Sequence, residues 1–268
     1  PGNTRMLKKQ LYLPTDIKIC EFEHFKNHSS IVHGIFTRAG GTSTGAFDSL
    51  NIGINSGDEL SAVENNRKVI IRKMGTKPFV FLNQVHKTGI KVLKKDETDL
   101  SKQFQSNIET YTADAIITDV KDVFIVIQVA DCQAVMLYDP EKKVIANIHS
   151  GWQGSVKNII GKCVDKMIFE FGCQPENIMA GISPSLGPCC SEFVNYKDEI
   201  PENLWKYKIK NKDYFNFWNM SADQLMDKGV KKECIENMEI CTKCNTDMFY
   251  SFRGEKTTGR FACVISMQ

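Results

Sequence analysis

The chain has 268 residues, 34 Lys plus Arg against 32 Asp plus Glu, a formal net charge of +2 and 42% apolar residues. Opposite charges are interspersed, as in Lys94-Lys95-Asp96-Glu97 and Lys231-Lys232-Glu233, so no field is built for nucleic acid or a membrane surface. A chain this long buries roughly three quarters of its unfolded surface, and its core needs no disulfide support. The ten cysteines are too sparse for a disulfide scaffold. Pro1–Gln10 is polar and basic and no apolar run reaches about 18 residues, so the expectation is a chain without signal peptide or membrane span. Its thiols are expected reduced, in the cytoplasm.

In chain order, Val32–Thr37 suits a strand, and the spacing predicts a helix over Ser61–Met74. Ser61 with Glu64 forms a capping box there, and Gly75 supplies a left-handed stop. Strands are predicted at Phe79–Leu82, Ile90–Leu93, Ala115–Thr118, Val123–Val129, Val135–Tyr138 and Val144–Ile148. Val123–Val129 is almost wholly β-branched or aromatic, which suits a strand covered on both faces. The last two strands, joined by Asp139-Pro140-Glu141-Lys142, make a hairpin-like pair. A long helix is predicted over Ser155–Phe171, ending at Gly172. Ile178–Ile182 follows as a strand and Ser221–Asp227 as a short helix stopped at Gly229. Phe249–Phe252 and Phe261–Ile265 close the chain as strands. No repeat or linker divides the sequence, so one domain over 1–268 is expected, with a softer polar segment at Lys94–Thr112. The class is α+β, with helices covering packed mixed sheets.

Several chemistries are excluded by their missing signatures. The five histidines (His24, His28, His33, His86 and His149) include no His-x-His pair, so a multicopper cluster lacks its ligands. Metalloprotease, zinc-deaminase and Walker motifs are absent. Gly41-Thr-Ser-Thr-Gly45 matches a hydrolase elbow, but no helical pattern follows it, so it reads as a glycine-rich turn. His24 and His28 read as surface or structural residues. Cys241-Thr-Lys-Cys244 is half of a zinc ribbon or a redox pair, but the remaining candidate pair, Cys189-Cys190, is adjacent rather than spaced. Cys241 and Cys244 read as structural thiols, and Cys189 and Cys190 take no assigned role.

One constellation carries chemistry. Cys132 follows the buried strand Val123–Val129, His149 ends the run Val144-Ile-Ala-Asn-Ile148, and His86 follows the strand at Phe79. The hairpin brings Cys132 and His149 toward one end of a sheet. His149-Ser-Gly-Trp then leads into a helix whose N-terminus favours an anion beside the imidazole. Two imidazoles and a thiolate with an open fourth position suit a catalytic zinc. A metal-free Cys-His nucleophile pair, or a buried cysteine beside structural histidines, would use the same residues.

These segments, together with several others, resemble the YfiH/YlmD family, named laccase-domain proteins and more recently regarded as purine nucleoside phosphorylases. The match runs through His33-Gly-Ile-Phe-Thr-Arg-Ala-Gly-Gly, Ser49-Leu-Asn-Ile-Gly, Asn83-Gln-Val-His86, Ala113-Asp-Ala, Ala130-Asp-Cys132, His149-Ser-Gly-Trp and Gly187-Pro-Cys-Cys190. It ends in Ile240-Cys-Thr, Phe249-Tyr-Ser-Phe-Arg253 and Thr258-Gly-Arg260. The resemblance implies a fold similar to the cytotoxic necrotizing factor catalytic domain and a metal on His86, Cys132 and His149, zinc first and copper as the alternative. It implies phosphorolysis of adenosine, inosine, guanosine and methylthioadenosine, and deamination of adenosine with zinc activating water at purine C6. A metal-free Cys-His deamidase using Cys132 and His149, and a copper-dependent polyphenol oxidase, are the alternative activities.

The partners expected are small nucleosides and phosphate, and the chain is expected as a monomer or homodimer. Arg38 is the first candidate for the phosphate or ribose contact, because a guanidinium binds oxyanions bidentately. Asn51, Gln84, Arg253 and Arg260 are further candidate substrate contacts. Asp131 is expected to orient a histidine or to take part in proton transfer. The sequence departs from the family pattern at Ser150, Gln153, Ser191 and Gly254, where Ala, Arg, Tyr and Arg are usual.

Overall fold

Runs of β-branched and aromatic residues build the centre of the molecule. The computed structural model describes residues 17–96 and 108–268. One six-stranded sheet has the order β1-β2-β12-β7-β3-β5. Its strands are β1 (Ile19–Cys20), β2 (Ile31–Phe36), β3 (Phe79–Asn83), β5 (Ile108–Thr112), β7 (Phe124–Val129) and β12 (Phe261–Met267). The other, ordered β11-β10-β8-β9-β6-β4, holds β4 (Ile90–Leu93), β6 (Ala115–Thr118), β8 (Gln133–Asp139), β9 (Val144–Ser150), β10 (Met179–Ile182) and β11 (Ile235–Asn237). Both sheets are mixed, so the expected α+β class with packed mixed sheets is what the chain adopts.

Alternation along each strand sets the layers. Ile125, Ile127 and Val129 of β7 meet Ala134, Met136 and Tyr138 of β8 in the core between the sheets. Phe124 and Val126 point the other way, toward Val69, Ile70 and Ile71 of the helix Leu60–Met74. Val135 and Leu137 pack outward against Ile160, Val164 and Met167 of the helix Ile159–Phe171. The order is therefore helix, sheet, sheet, helix, and β7 is covered on both faces as predicted. A satellite cluster of Phe193, Ile200, Tyr207, Phe215 and Phe217 sits beside this sandwich.

Element ends differ from the prediction for local reasons. The helix expected from Ser61 starts at Leu60 with Glu59 as its N-cap, and no side chain caps it. Ser61 thus lies inside the first turn, where its hydroxyl cannot serve as a cap. The long helix is two pieces, Trp152–Val156 and Ile159–Phe171. Asn158 between them adopts φ 54°, ψ 54°, and its side chain accepts from Gly161 N–H, which starts a new helix rather than continuing the old one.

Phe249–Phe252 is not a strand. Phe249 and Tyr250 are both buried, the Tyr250 hydroxyl donates to Phe47 O at 2.6 Å, and Phe252–Glu255 forms a helical turn capped by Ser251. Bulky aromatics here anchor a loop instead of alternating across a sheet. The helix predicted at Ser221 begins earlier, at Phe217, behind an Asn216 cap. Of the polar segment Lys94–Thr112, residues 97–107 lie outside the described residues, and Ile108–Thr112 forms β5. Among the described residues no helix is long and apolar enough to cross a membrane.

Candidate functional site

The topology delivers the chemistry to one edge of the sandwich. Strands β5, β3 and β7 are mutually parallel neighbours and end on that edge. After each, the chain crosses to the second sheet. The crossing from β3 to β4 carries His86, that from β5 to β6 carries Asp114, and that from β7 to β8 carries Cys132. Two of these turns need left-handed backbone, with φ 58° at His86 and 86° at Asp131. His149 arrives from the opposite direction at the end of β9, paired with Ala134 in register, so Cys132 sits two positions beyond that pair.

The ligand atoms of His86, Cys132 and His149 all lie within 4.8 Å of one another. The two imidazoles meet edge to face, with ring centroids 4.7 Å apart. Asp114, wholly buried, organises both histidines. Its Oδ1 lies 2.8 Å from His149 Nδ1 and accepts the His86 backbone N–H at 2.9 Å, while Oδ2 accepts Lys87 N–H at 2.8 Å. That leaves Nε2 of His149 as the nitrogen that could hold a metal. A carboxylate behind a metal-binding histidine fixes its tautomer and raises its basicity.

The charges are coupled. Burial opposes a Cys132 thiolate, but His149 and His86 outweigh it and bring the thiol down to about 6. Burial likewise opposes an imidazolium at His149, yet the Cys132 thiolate and Asp114 raise it to about 9. The two groups therefore titrate as a pair, thiolate and imidazolium stabilising each other.

The donor set fits a single zinc: two nitrogens, one sulfur, a carboxylate behind one histidine, and one side left to the cavity. It does not fit a multicopper cluster. Of the other histidines, His33 accepts Phe22 N–H at 2.7 Å in an aromatic nest, and His28 packs on Tyr138. His24 and His28 share no helical face, because the short helix Glu23–Lys26 ends before His28. Ser43 of the elbow-like string donates to Asp58 at 2.6 Å, and only a single 3-10 turn, Gly45–Phe47, follows it.

A cavity of about 990 Å³ opens over the cluster. Of the predicted substrate contacts, Gln84, Arg253 and Arg260 line it, as does Asp131, whereas Arg38 and Asn51 do not. Arg38 is consumed structurally: it donates to Asp48 O, Thr246 O and Glu255 Oε1 at 2.7–2.8 Å and lies over the Tyr250 ring. Asn51 is wholly buried and accepts the Gly53 and Arg260 N–H groups. Gln84 spends both ends of its amide on the Gln128 backbone. Asp131 orients no histidine; its carboxylate accepts from Thr242 Oγ1 and Arg253 N–H, and Asp114 occupies the position behind His149.

Sequence reasoning missed Arg67. Only 5% exposed, it lines the cavity, donates Nε–H to Ile52 O at 3.0 Å and lies over the Phe81 ring at 4.0 Å. Among the described residues its terminal nitrogens make no hydrogen bond, and burial brings its pKa down to about 10. Such a cation calls for an anion. Its only sequence signal was a basic residue on the otherwise apolar face of a helix.

Of the departures from the family pattern, Gln153 is exposed and does not line the cavity, while Ser150 Oγ bonds Ser155 Oγ at 2.9 Å. Ser191 donates to Phe215 O. Gly254 N–H donates to Ser251 Oγ.

A family model described as "Multi-copper polyphenol oxidoreductase laccase" matches residues 32–268. The chain is 28% identical over 254 residues to the purine nucleoside phosphorylase YlmD of Bacillus subtilis (strain 168), covering 91% of each. It is 31% identical over 241 residues to the purine nucleoside phosphorylase YfiH of Escherichia coli (strain K12), covering 85% of this chain and 90% of that one. The crystal structure of the Bacillus licheniformis hypothetical protein YfiH matches with a TM-score of 0.82 at 26% identity, over 96% of this chain and 100% of that one. By the span of the family match and by these relatives, the chain belongs to the YfiH/YlmD family of laccase-domain proteins.

Proposed function

We propose that this cavity performs phosphorolysis of purine nucleosides: adenosine, inosine, guanosine and methylthioadenosine. The observation that carries the reading is the His86–Cys132–His149 cluster opening into a cavity that is also lined by a buried cation, Arg67, with no ion pair among the described residues. Relatives at 28–31% identity that bear the name purine nucleoside phosphorylase support it.

In this reading His86, Cys132 and His149 would hold zinc, which would supply Lewis acidity beside the cavity. Asp114 keeps the His149 proton on Nδ1. The Arg67 guanidinium binds phosphate, and Arg260, held against the Thr258 and Gly259 carbonyls, adds positive potential beside Cys132 and Asp131. A phosphate oxygen bonds to C1′ as the C1′–N9 bond breaks. The electron pair leaves with the purine, which takes up a proton, and ribose 1-phosphate remains. Deamination of adenosine is the second activity: water oxygen adds at C6 and ammonia leaves.

Product analysis with adenosine tests this. With phosphate, adenine and ribose 1-phosphate are expected; without it, only inosine and ammonia. Metal-replete protein that forms neither product set would refute the reading.

One observation favours a second reading. Cys132, His149 and Asp114 form a relay in which the thiol is depressed and the imidazole oriented, the arrangement of a Cys-His hydrolase. That enzyme would survive chelation and lose activity on alkylation of Cys132; the zinc enzyme would lose activity on chelation.

A further inference from the structure

Outside the cavity, four cysteines from two distant segments converge, and the geometry points to a second metal site: a structural zinc held by Cys189, Cys190, Cys241 and Cys244. Their sulfur atoms all lie within 4.8 Å of one another. Cys244 Sγ is 3.7 Å from that of Cys189 and 3.6 Å from that of Cys190. In a tetrahedral site with Zn–S bonds of about 2.3 Å, neighbouring sulfurs stand about 3.8 Å apart. A disulfide would need about 2.05 Å. These two distances are those of a tetrahedron's edges, and all six fall within 4.8 Å.

The backbone is arranged for the same purpose. Cys241-Thr-Lys-Cys244 has the Cys-x-x-Cys spacing of a zinc-binding turn, closed by Asn245 Nδ2 donating to Cys241 O at 2.8 Å. Gly187 N–H donates to Cys241 Sγ at 3.3 Å, which stabilises a thiolate there. Gly187 is required for this approach, since a Cβ would stand 3.0 Å from Cys241 Cβ and 2.9 Å from the Trp218 ring. The adjacent pair Cys189-Cys190, which lacks ribbon spacing along the sequence, presents both thiols because the chain turns there, with Cys190 N–H donating to Gly187 O.

A metal here has a mechanical role. Ser185 and Cys241 form a bridge, Thr242 N–H donates to Ser185 O, and the Thr242 hydroxyl donates to Asp131. Leu186 N–H donates to Asp131 O. Clamping 187–190 to 241–244 therefore fixes the residue that precedes Cys132, along with the segment that brings Arg253 to the cavity. Exposure of Cys189 and Cys244 fits metal-held thiolates, which are protected from oxidation, better than four free thiols.

The test separates this site from the one in the cavity. Full-length protein purified under reducing conditions is expected to hold about two zinc ions per chain, and Cys132→Ala about one. X-ray absorption at the zinc edge of Cys132→Ala should show a shell of sulfur alone at about 2.3 Å. The double variant Cys189→Ser/Cys244→Ser should lose one zinc while keeping the mixed nitrogen–sulfur shell. As a measurement independent of that variant's folding, native wild-type protein is also alkylated before and after chelation, and mass spectrometry should find these four thiols protected only before. Zinc-free Cys132→Ala, a shell containing nitrogen or oxygen in it, disulfides among the four, or free alkylation of the native protein would each overturn the site. A wild type holding only the all-sulfur zinc would sustain this site and refute the one in the cavity.

Discussion

Gly151→Ala isolates the geometry of the cavity cluster from its fold. Gly151 has φ −75° and ψ 172°, a conformation open to any residue, so alanine introduces no backbone strain. Taken alone, the change would stabilise by about 0.4–1 kcal/mol through the unfolded chain. A Cβ, however, would stand 3.0 Å from Cys132 Sγ and 3.2 Å from His86 Cδ2. Both are short of the roughly 3.5–4.0 Å of a relaxed contact, so the ligands must part by about 0.5 Å. Metal sites hold their distances to about ±0.2 Å. The expected result is a variant that melts near wild type in chelator but binds zinc about 10–100-fold more weakly, in line with the loss of a supporting contact. Competition against a chromophoric chelator measures the affinity, and calorimetry with and without chelator measures the fold. Wild-type zinc affinity in a normally folded Gly151→Ala would refute the assignment of the metal to these three residues.

Asp114→Asn removes the carboxylate that fixes both histidines, and zinc affinity and kcat/KM should fall about 10–100-fold; unchanged values would show that Asp114 is incidental to the site. Arg67→Met should raise KM for phosphate roughly tenfold to a hundredfold, since a hydrogen bond to a charged group contributes about 1.5–3 kcal/mol. Arg38→Met should instead lower the melting temperature with KM unchanged, because its partners are Glu255 and two carbonyls; the opposite pattern would restore Arg38 as the anion contact. His33 has its pKa lowered from 6.5 to about 4, chiefly by burial. The unfolded chain therefore binds more protons between about pH 6.5 and 4, and stability present above that window is lost on acidification, by up to about 3 kcal/mol. Urea titrations across that range should show a smaller pH dependence in His33→Gln, and identical slopes would remove His33 as the cause.

How much was legible in the sequence depended on whether the signal was local. Val123–Val129, Val144–Ile148 and the helix ending at Gly75 were readable because their burial dictates an unbroken or periodic apolar pattern. Short edge strands such as β1 and β11 were not, since two or three residues carry no pattern and exist only where a neighbour offers an edge. The His86, Cys132 and His149 cluster was readable from strand ends and motifs. Its organiser was not: Asp114 sat in a recognised motif, but its hydrogen bonds join residues 27 to 35 positions away. Arg38 and Arg67 are alike in sequence, and packing alone decides that one is neutralised by a carboxylate 217 positions distant while the other lines a cavity with no ion pair among the described residues. The cysteines make the same point. Adjacent thiols and a Cys-x-x-Cys half-motif complete no ribbon along the chain, and only the fold brings the four sulfurs within 4.8 Å of one another, because a ligand set is defined by distance in space.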